Sequence, residues 1–339
     1  ICSLLSWNAL AQQYPYKTVA NDPMDTRIYT LGNGLTVYMT VYKDAPRVQT
    51  YIATRAGSKN DPADATGLAH YFEHMMFKGT SKIGTTNYAA ESVLIAKIDS
   101  LFEVYRTIPL SETEPREKLY RMIDSISTEA SKFAIPNEYD KLISIIGATG
   151  TNAYTSLEQT VYVNDIPSNQ IENWLMIESE RFSNPVLRLF HTELETIYEE
   201  KNMTLTRDEF KLYFAVLGGL FKNHTYGTQS LIGSTEHLKS PSMKRIREYF
   251  ADYYIPNNMA ICLSGDLDPD KTIALIDQYW GKIPAGNIKP FNFKPEEEIK
   301  EPIVMEVTGP DAASITIAYR LDGAQSKDAE LLPIFDMIL

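Results

Sequence analysis

The chain has 339 residues, 44% of them hydrophobic, which is enough for a sizeable core and more than one ordinary domain. Its net charge of -12 argues against a nucleic-acid binder, because no Lys/Arg excess is left to neutralise phosphates. No stretch approaches the ~20 consecutive apolar residues of a membrane span.

The first residues, I-C-S-L-L-S-W-N-A-L-A, are apolar and uncharged and end in a small-x-small Ala9-Leu10-Ala11. Residues 1–11 therefore read as the back half of a secretory signal, and the protein as exported, in the periplasm of a bacterial envelope. Cys2 would leave with that signal. Cys262, in the apolar run M-A-I-C-L, then reads as core packing, with no disulfide framework to join.

Residues 12–25 are polar and read as a leader. R-I-Y-T-L, an Asn33-Gly34 turn and L-T-V-Y-M-T-V-Y follow, the signature of a β-hairpin. A third strand, V-Q-T-Y-I-A-T-R, runs into the loop A-G-S-K-N-D-P, which leads to G-L-A-H-Y-F-E-H-M-M-F-K-G-T at 67–80. That segment predicts a helix stopped by Gly79. Its H-x-x-E-H places His70, Glu73 and His74 three and four residues apart, so one helix face presents two imidazoles with a carboxylate beside them. That is the donor pattern of a zinc hydrolase.

From 88 to 141 the pattern is helical and highly charged. Val93, Leu94, Ile98, Leu101, Phe102 and Tyr105 mark one apolar stripe, and Leu119, Met122, Ile123 and Ile126 mark another. Pro109 separates them, predicting a helical hairpin that reads as a structural insertion. The glycine-rich entry I-I-G-A-T-G-T-N-A-Y-T-S-L-E-Q-T-V-Y-V predicts a strand at a sheet edge. A helix follows Pro167-Ser168, and a longer one covers about 192–206. Further amphipathic helices run through the 240s, followed by the buried strand M-A-I-C-L-S-G-D and a closing helix K-T-I-A-L-I-D-Q-Y-W.

Residues 284–301, rich in Pro, Lys and Glu, read as a linker. Beyond it, P-I-V-M-E-V, S-I-T-I-A-Y-R-L and D-A-E-L-L-P-I-F-D-M-I-L repeat the order strand, strand, helix seen near the start. Laid over 67–77, this last segment puts Leu332, Phe335 and Asp336 where His70, Glu73 and His74 stand. Residues 302–339 are thus expected to begin a second, metal-free copy of the domain that stops at Leu339.

A catalytic zinc usually has three protein ligands and an open position. The helix H-T-E-L-E-T-I-Y-E-E-K-N-M offers Glu193 and Glu200, seven residues apart and so on one face. Spacing alone leaves both open. His224 and His237 have no partner spacing and read as structural or surface residues; His191 lies near the glutamate pair without being a ligand candidate.

Taken in order, H-Y-F-E-H with M-M-F-K-G-T, G-x-x-x-x-N-A-Y-T, E-x-x-x-x-x-x-E-K-N-M, H-T-Y-G and Y-Y-I-P-N-N-M-A resemble the inverzincin family of pitrilysin, insulin-degrading enzyme and mitochondrial processing peptidase. The resemblance implies an α+β fold with a mixed, largely antiparallel sheet packed against helices. It covers a catalytic domain at 26–283 and the start of a second homologous domain at 302–339. It makes His70, His74 and Glu200 the ligands of Zn2+, Glu73 the catalytic carboxylate and Glu193 a supporting second carboxylate. Asn152 and Ala153 match the strand edge that binds peptide substrate. The separation of His74 from Glu200 exceeds that of compact family members, and the 88–141 hairpin accounts for it.

The function implied is a zinc-dependent endopeptidase acting on peptides or unfolded polypeptides, with Glu73 activating a zinc-bound water. The alternative is a catalytically inert homologous subunit or peptide-binding module that keeps the fold. The family works as paired halves enclosing a chamber, so a second half, in the same chain or as a partner, is implied. This chain alone is expected to bind zinc but to cleave poorly.

Overall fold

The computed structural model describes residues 14–337, so the expected signal segment lies outside the described residues. Its organising element is a seven-stranded sheet made of β1 (Tyr16–Lys17), β2 (Arg27–Thr30), β3 (Thr36–Val41), β4 (Arg47–Thr54), β5 (Thr149–Thr155), β6 (Thr160–Pro167) and β7 (Met259–Gly265). The order across the sheet is β1-β2-β3-β7-β4-β6-β5, antiparallel at every pairing except β3 with β7. The mixed, largely antiparallel architecture expected from the sequence is present.

The alternation of side chains decides which face of the sheet is covered. In β4, Val48, Thr50, Ile52 and Thr54 are buried while Tyr51 between them is exposed; in β3, Val37 and Met39 are buried and Tyr38 is exposed. β7 inserts between these two strands and adds Met259, Ile261 and Leu263 to the same covered face, leaving Cys262 half-buried on the other.

The helices are α1 (Leu68–Met75), α2 (Tyr88–Thr107), α3 (Thr113–Ser131), α4 (Glu138–Ile145), α5 (Ile171–Ser183), α6 (Phe190–Thr206), α7 (Asp208–Leu220), α8 (Thr225–Thr228), α9 (Thr235–Leu238), α10 (Met243–Tyr253), α11 (Pro269–Trp280) and α12 (Leu332–Asp336). Two compact units divide the chain. The first takes the residues up to Tyr198 together with Leu231–Phe291, and holds the sheet and α1–α5. The second takes Glu199–Ser230 and Asn292–Leu339, and the division falls within α6. In the second unit, the Glu296 carboxylate accepts the backbone N–H groups of Lys222 (2.9 Å), Asn223 (2.7 Å) and His224 (2.7 Å) ahead of α8. The Asp208 carboxylate accepts the N–H of Asp311 at 3.0 Å.

Four sequence expectations change. The edge segment read as one strand is a hairpin, β5–β6, turned at Ser156–Gln159, because Thr160–Pro167 pairs along its whole length with β4. The segment read as a polar leader contains β1, whose Tyr16 ring packs at 5.3 Å from that of Tyr29. The helical hairpin forms, but Val93 (68% exposed) and Met122 (46% exposed) fall outside its buried stripe, which Ile98, Phe102, Tyr105 and Ile123 supply. Finally, residues 302–307 and 314–321 form no strand. A strand needs a neighbour for its N–H and C=O groups, and none lies beside these segments among the described residues; Val304 and Ile315 accordingly remain exposed.

Candidate metal centre

The geometry starts from the loop before α1. Asp61 is buried, and its carboxylate accepts three successive N–H groups: Gly67 (2.7 Å) and Leu68 (3.2 Å) on Oδ2, Ala69 (2.8 Å) on Oδ1. These are donors that a helix start otherwise leaves unsatisfied. Gly67 enters the helix at φ +82°, and a Cβ there would meet the Gly233 Cα at 2.6 Å, so only glycine fits. Alongside, the neutral Nδ1 of His237 accepts the N–H (3.1 Å) and the hydroxyl (2.7 Å) of Thr66, whose oxygen accepts the N–H of Ser234 at 3.0 Å. Burial lowers the pKa of His237, outweighing the opposite pull of Glu236 and Asp64.

With its start fixed, α1 buries Ala69, Phe72 and Met75 against the core, the Phe72 ring standing edge-on to Tyr254 at 4.7 Å. The opposite face carries half-buried His70 and His74, with Glu73 only 8% exposed beside them. The loop beyond the helix is held by Arg188, whose guanidinium donates to the carbonyls of Lys78 (2.7 Å) and Thr80 (3.0 Å). It also pairs with Glu91 of α2 at 2.6 Å.

Helix α6 begins just after Leu189, a non-glycine residue at φ +56°, a conformation that costs about 1–3 kcal/mol and persists only where the surroundings enforce it. The enforcing contacts are on both sides. Tyr71 of α1 donates its hydroxyl to the Phe190 carbonyl at 2.6 Å and stacks on the Phe190 ring at 4.7 Å. This brings Glu193 onto α1: its Oε1 accepts Nδ1–H of His74 at 2.8 Å, and its other oxygen pairs with Lys78. Burial would raise the Glu193 carboxyl, but the His74 and Lys78 contacts win and hold it below the usual carboxylate range.

Because His74 keeps its proton on Nδ1 and donates it to Glu193, the Nε2 lone pair is left facing outward. That Nε2 lies 3.3 Å from Nε2 of His70. Two nitrogens bound at ~2.0–2.1 Å to a tetrahedral zinc stand about 3.3–3.4 Å apart, so this spacing is what the pair would need. Glu200, half-buried and two turns beyond Glu193 on α6, completes the set: one ligand atom from each of His70, His74 and Glu200 lie within 4.8 Å of one another. Glu199 is exposed on another face of the same helix. Around a tetrahedral zinc, two imidazoles and one carboxylate would leave a fourth position open.

Glu73 turns toward the sheet edge. Its Oε2 accepts the hydroxyl of Thr155 at 2.5 Å, and Thr155 ends β5, which among the described residues has no strand on its outer side. Asn152 and Ala153 lie on that same strand, paired inward with Val163 and Tyr162; Asn152 is exposed. The other histidines stand apart from this group. His191 is buried against the Tyr120 ring at 4.8 Å, and Nδ1 of His224 accepts the N–H of Tyr226 at the start of α8. Sequence reasoning did not find Thr155, Lys78 or Asp61. A hydroxyl, an ammonium and a capping carboxylate bear no fixed spacing to H-x-x-E-H, and their only trace was that each stands in a noted run: Asp61 in A-G-S-K-N-D-P, Lys78 in M-M-F-K-G-T and Thr155 in N-A-Y-T.

The sequence profile described as Insulinase (Peptidase family M16) matches residues 38–100, and that described as Peptidase M16 inactive domain matches 242–339. The chain is 22% identical over 263 residues to the probable mitochondrial-processing peptidase subunit beta of Schizosaccharomyces pombe, covering 76% of this chain and 45% of that one. It is 23% identical to the probable zinc protease PqqL of Escherichia coli, covering 91% of this chain and 29% of the relative. The crystal structure of PqqL, described as a periplasmic protease, superposes with a TM-score of 0.60 over 83% of this chain, at 20% identity. That of pitrilysin superposes with a TM-score of 0.58 over 84%, at 16% identity. The chain thus spans less than half the length of these relatives. Among its described residues no helix is long and apolar enough to cross a membrane.

Proposed function

We infer, from a chain that belongs to the insulinase (M16) family of peptidases, that it carries the zinc-dependent hydrolytic centre of an exported endopeptidase acting on peptides or unfolded polypeptides. The observation that carries this reading is the convergence of His70, His74 and Glu200 next to a nearly buried Glu73. His70, His74 and Glu200 would hold the ion, which when bound lowers the pKa of a coordinated water toward ~7 and polarises a carbonyl. Glu73 takes the water proton and delivers it to the leaving amine; Glu193 keeps His74 in the tautomer that binds through Nε2. Asn152 and Ala153, on the open side of β5, receive an extended peptide by main-chain hydrogen bonds largely independent of its sequence.

PqqL being described as periplasmic supports the same location for this protein. The limited share of each relative that the chain spans supports a second half, in the same chain or as a partner, that completes the substrate chamber. An inert homologous subunit would have no use for Glu73 beside an intact ligand set. The experiment is a chelator-sensitive peptidase assay with the second half supplied, comparing wild type with Glu73→Gln. Wild type is expected to cleave, and E73Q to keep its zinc but lose cleavage. Cleavage by E73Q at the wild-type rate, or wild-type cleavage indifferent to chelator, overturns the reading.

A further inference from the structure

We propose that Thr155 is a positioning residue: its hydroxyl fixes the Glu73 carboxylate and ties it to β5, so that the strand receiving the substrate and the proton-transferring group move as one piece. The inference rests on the peptidase reading above and deepens it.

The contact is a 2.5 Å hydrogen bond from Thr155 Oγ1 to Glu73 Oε2. Glu73 is 8% exposed, so water offers that oxygen little competition, and a hydrogen bond to a charged, desolvated acceptor is among the stronger ones. A glutamate has three rotatable bonds and would otherwise sample several rotamers. Threonine is the stiffer partner, since its branched Cβ restricts χ1, and its hydroxyl position is set by the strand backbone at little entropic cost.

Both backbones are fixed independently. The end of β5 is closed by the pairing of Thr155 with Thr160, whose own hydroxyl donates to the Ala56 carbonyl at 3.0 Å. The turn that follows is locked onto the loop leading to α1. Ser58 donates its N–H to the Ser156 carbonyl at 3.1 Å, and Gly57 lies so close that a Cβ there would meet the same oxygen at 2.3 Å. Three residues after Ser58, Asp61 caps α1. One short loop thus fixes both the helix that carries Glu73 and the strand end that carries Thr155. The hydroxyl then removes the last freedom, that of the Glu73 side chain.

Within β5, Ala153 and Thr155 alternate with exposed Asn152 and Tyr154, so Thr155 shares a face with Ala153. A peptide pairing along the outer edge of this strand would be in fixed register with Thr155 and, through it, with Glu73. With Oε2 held by the hydroxyl, Oε1 is the oxygen left to take a proton.

Two measurements test this, neither relying on the other. In denaturant unfolding of the zinc-free full chain, Thr155→Val, Glu73→Ala and the double variant form a cycle. The expected coupling is roughly tenfold in the folding equilibrium constant; coupling under about twofold overturns the bond. In steady-state cleavage with the second half supplied, T155V is expected to lower kcat about tenfold with KM and zinc affinity unchanged. Thr155→Ser, keeping the hydroxyl, recovers most of the loss. An unchanged kcat in T155V, or no recovery in T155S, overturns the positioning role. A wild-type protein without chelator-sensitive cleavage would instead sink the peptidase reading, leaving the unfolding cycle to decide whether Thr155 holds Glu73.

Discussion

Glu193 bears on the proposed site through His74 and Lys78, without being one of the three residues grouped to hold an ion. Its carboxylate is shared between His74 Nδ1 and Lys78, so it both selects the imidazole tautomer and stays ionised in a buried position. Groups of this kind commonly carry one to two orders of magnitude of metal affinity. Glu193→Gln keeps the shape but loses the charge, and its zinc affinity, measured by competition with a chromophoric chelator, is expected to fall about 10–100-fold. An affinity equal to wild type would mean that the tautomer is set elsewhere. The sequence showed the His70–His74 pair clearly, because zinc chemistry restricts the ligand types and a helix fixes their spacing. Spacing could not rank Glu193 against Glu200, since two carboxylates seven apart are equivalent by periodicity; the structure adds that Glu193 accepts Nδ1–H of His74. Thr155 stood in the noted run N-A-Y-T, but its bond to Glu73 was unreadable because the two residues lie 82 positions apart, across the helical insertion.

At the scale of the element, α1 is a short helix whose ligand geometry depends on how its first turn is held. Its entry combines the Asp61 cap, the close packing of Gly67 on Gly233 and the pair of bonds from Thr66 to His237. Asp61→Ala leaves three buried N–H groups without their acceptor and is expected to cost about 2 kcal/mol or more in denaturant unfolding. The His237 contact carries a pH dependence whose sign follows from its depressed pKa. The neutral ring is the acceptor, so the stability it contributes is present above the unfolded value of about 6.5 and is lost as the pH falls through the lower folded value. Wild type is therefore expected to lose stability from pH 8 to pH 5 more steeply than His237→Asn, which retains an acceptor but cannot be protonated. Equal slopes would place the titration on other groups. Little of this entry was legible beforehand: the glycine and the loop were visible, but the bonds that fix them come from residues 233–237, on the far side of the helical insertion and β5–β6.

Across the whole molecule, the covered face of the sheet and most helices follow from period-2 and period-3.6 patterns, whereas elements that depend on neighbours followed less well. Residues 302–321 have the alternation of strands and yet form none, because propensity proposes a strand and only a paired edge completes it. The candidate metal centre follows the same logic, since the groups that could hold an ion come from α1 and from α6, two elements far apart in the chain, and an unfolded chain has no equivalent site. Binding to the folded state alone stabilises it by RT ln(1 + [L]/Kd), about 2.7 kcal/mol when free zinc exceeds Kd a hundredfold. For a chain of this size that corresponds to a rise in Tm on the order of 5 °C. Stripping the protein with a chelator is expected to lower Tm by that amount and adding zinc to restore it. His70→Ala should melt at the same temperature with and without zinc, because the remaining imidazole and carboxylate cannot complete the set. A zinc-dependent rise in H70A equal to that of wild type would place the stabilising ion elsewhere in the molecule.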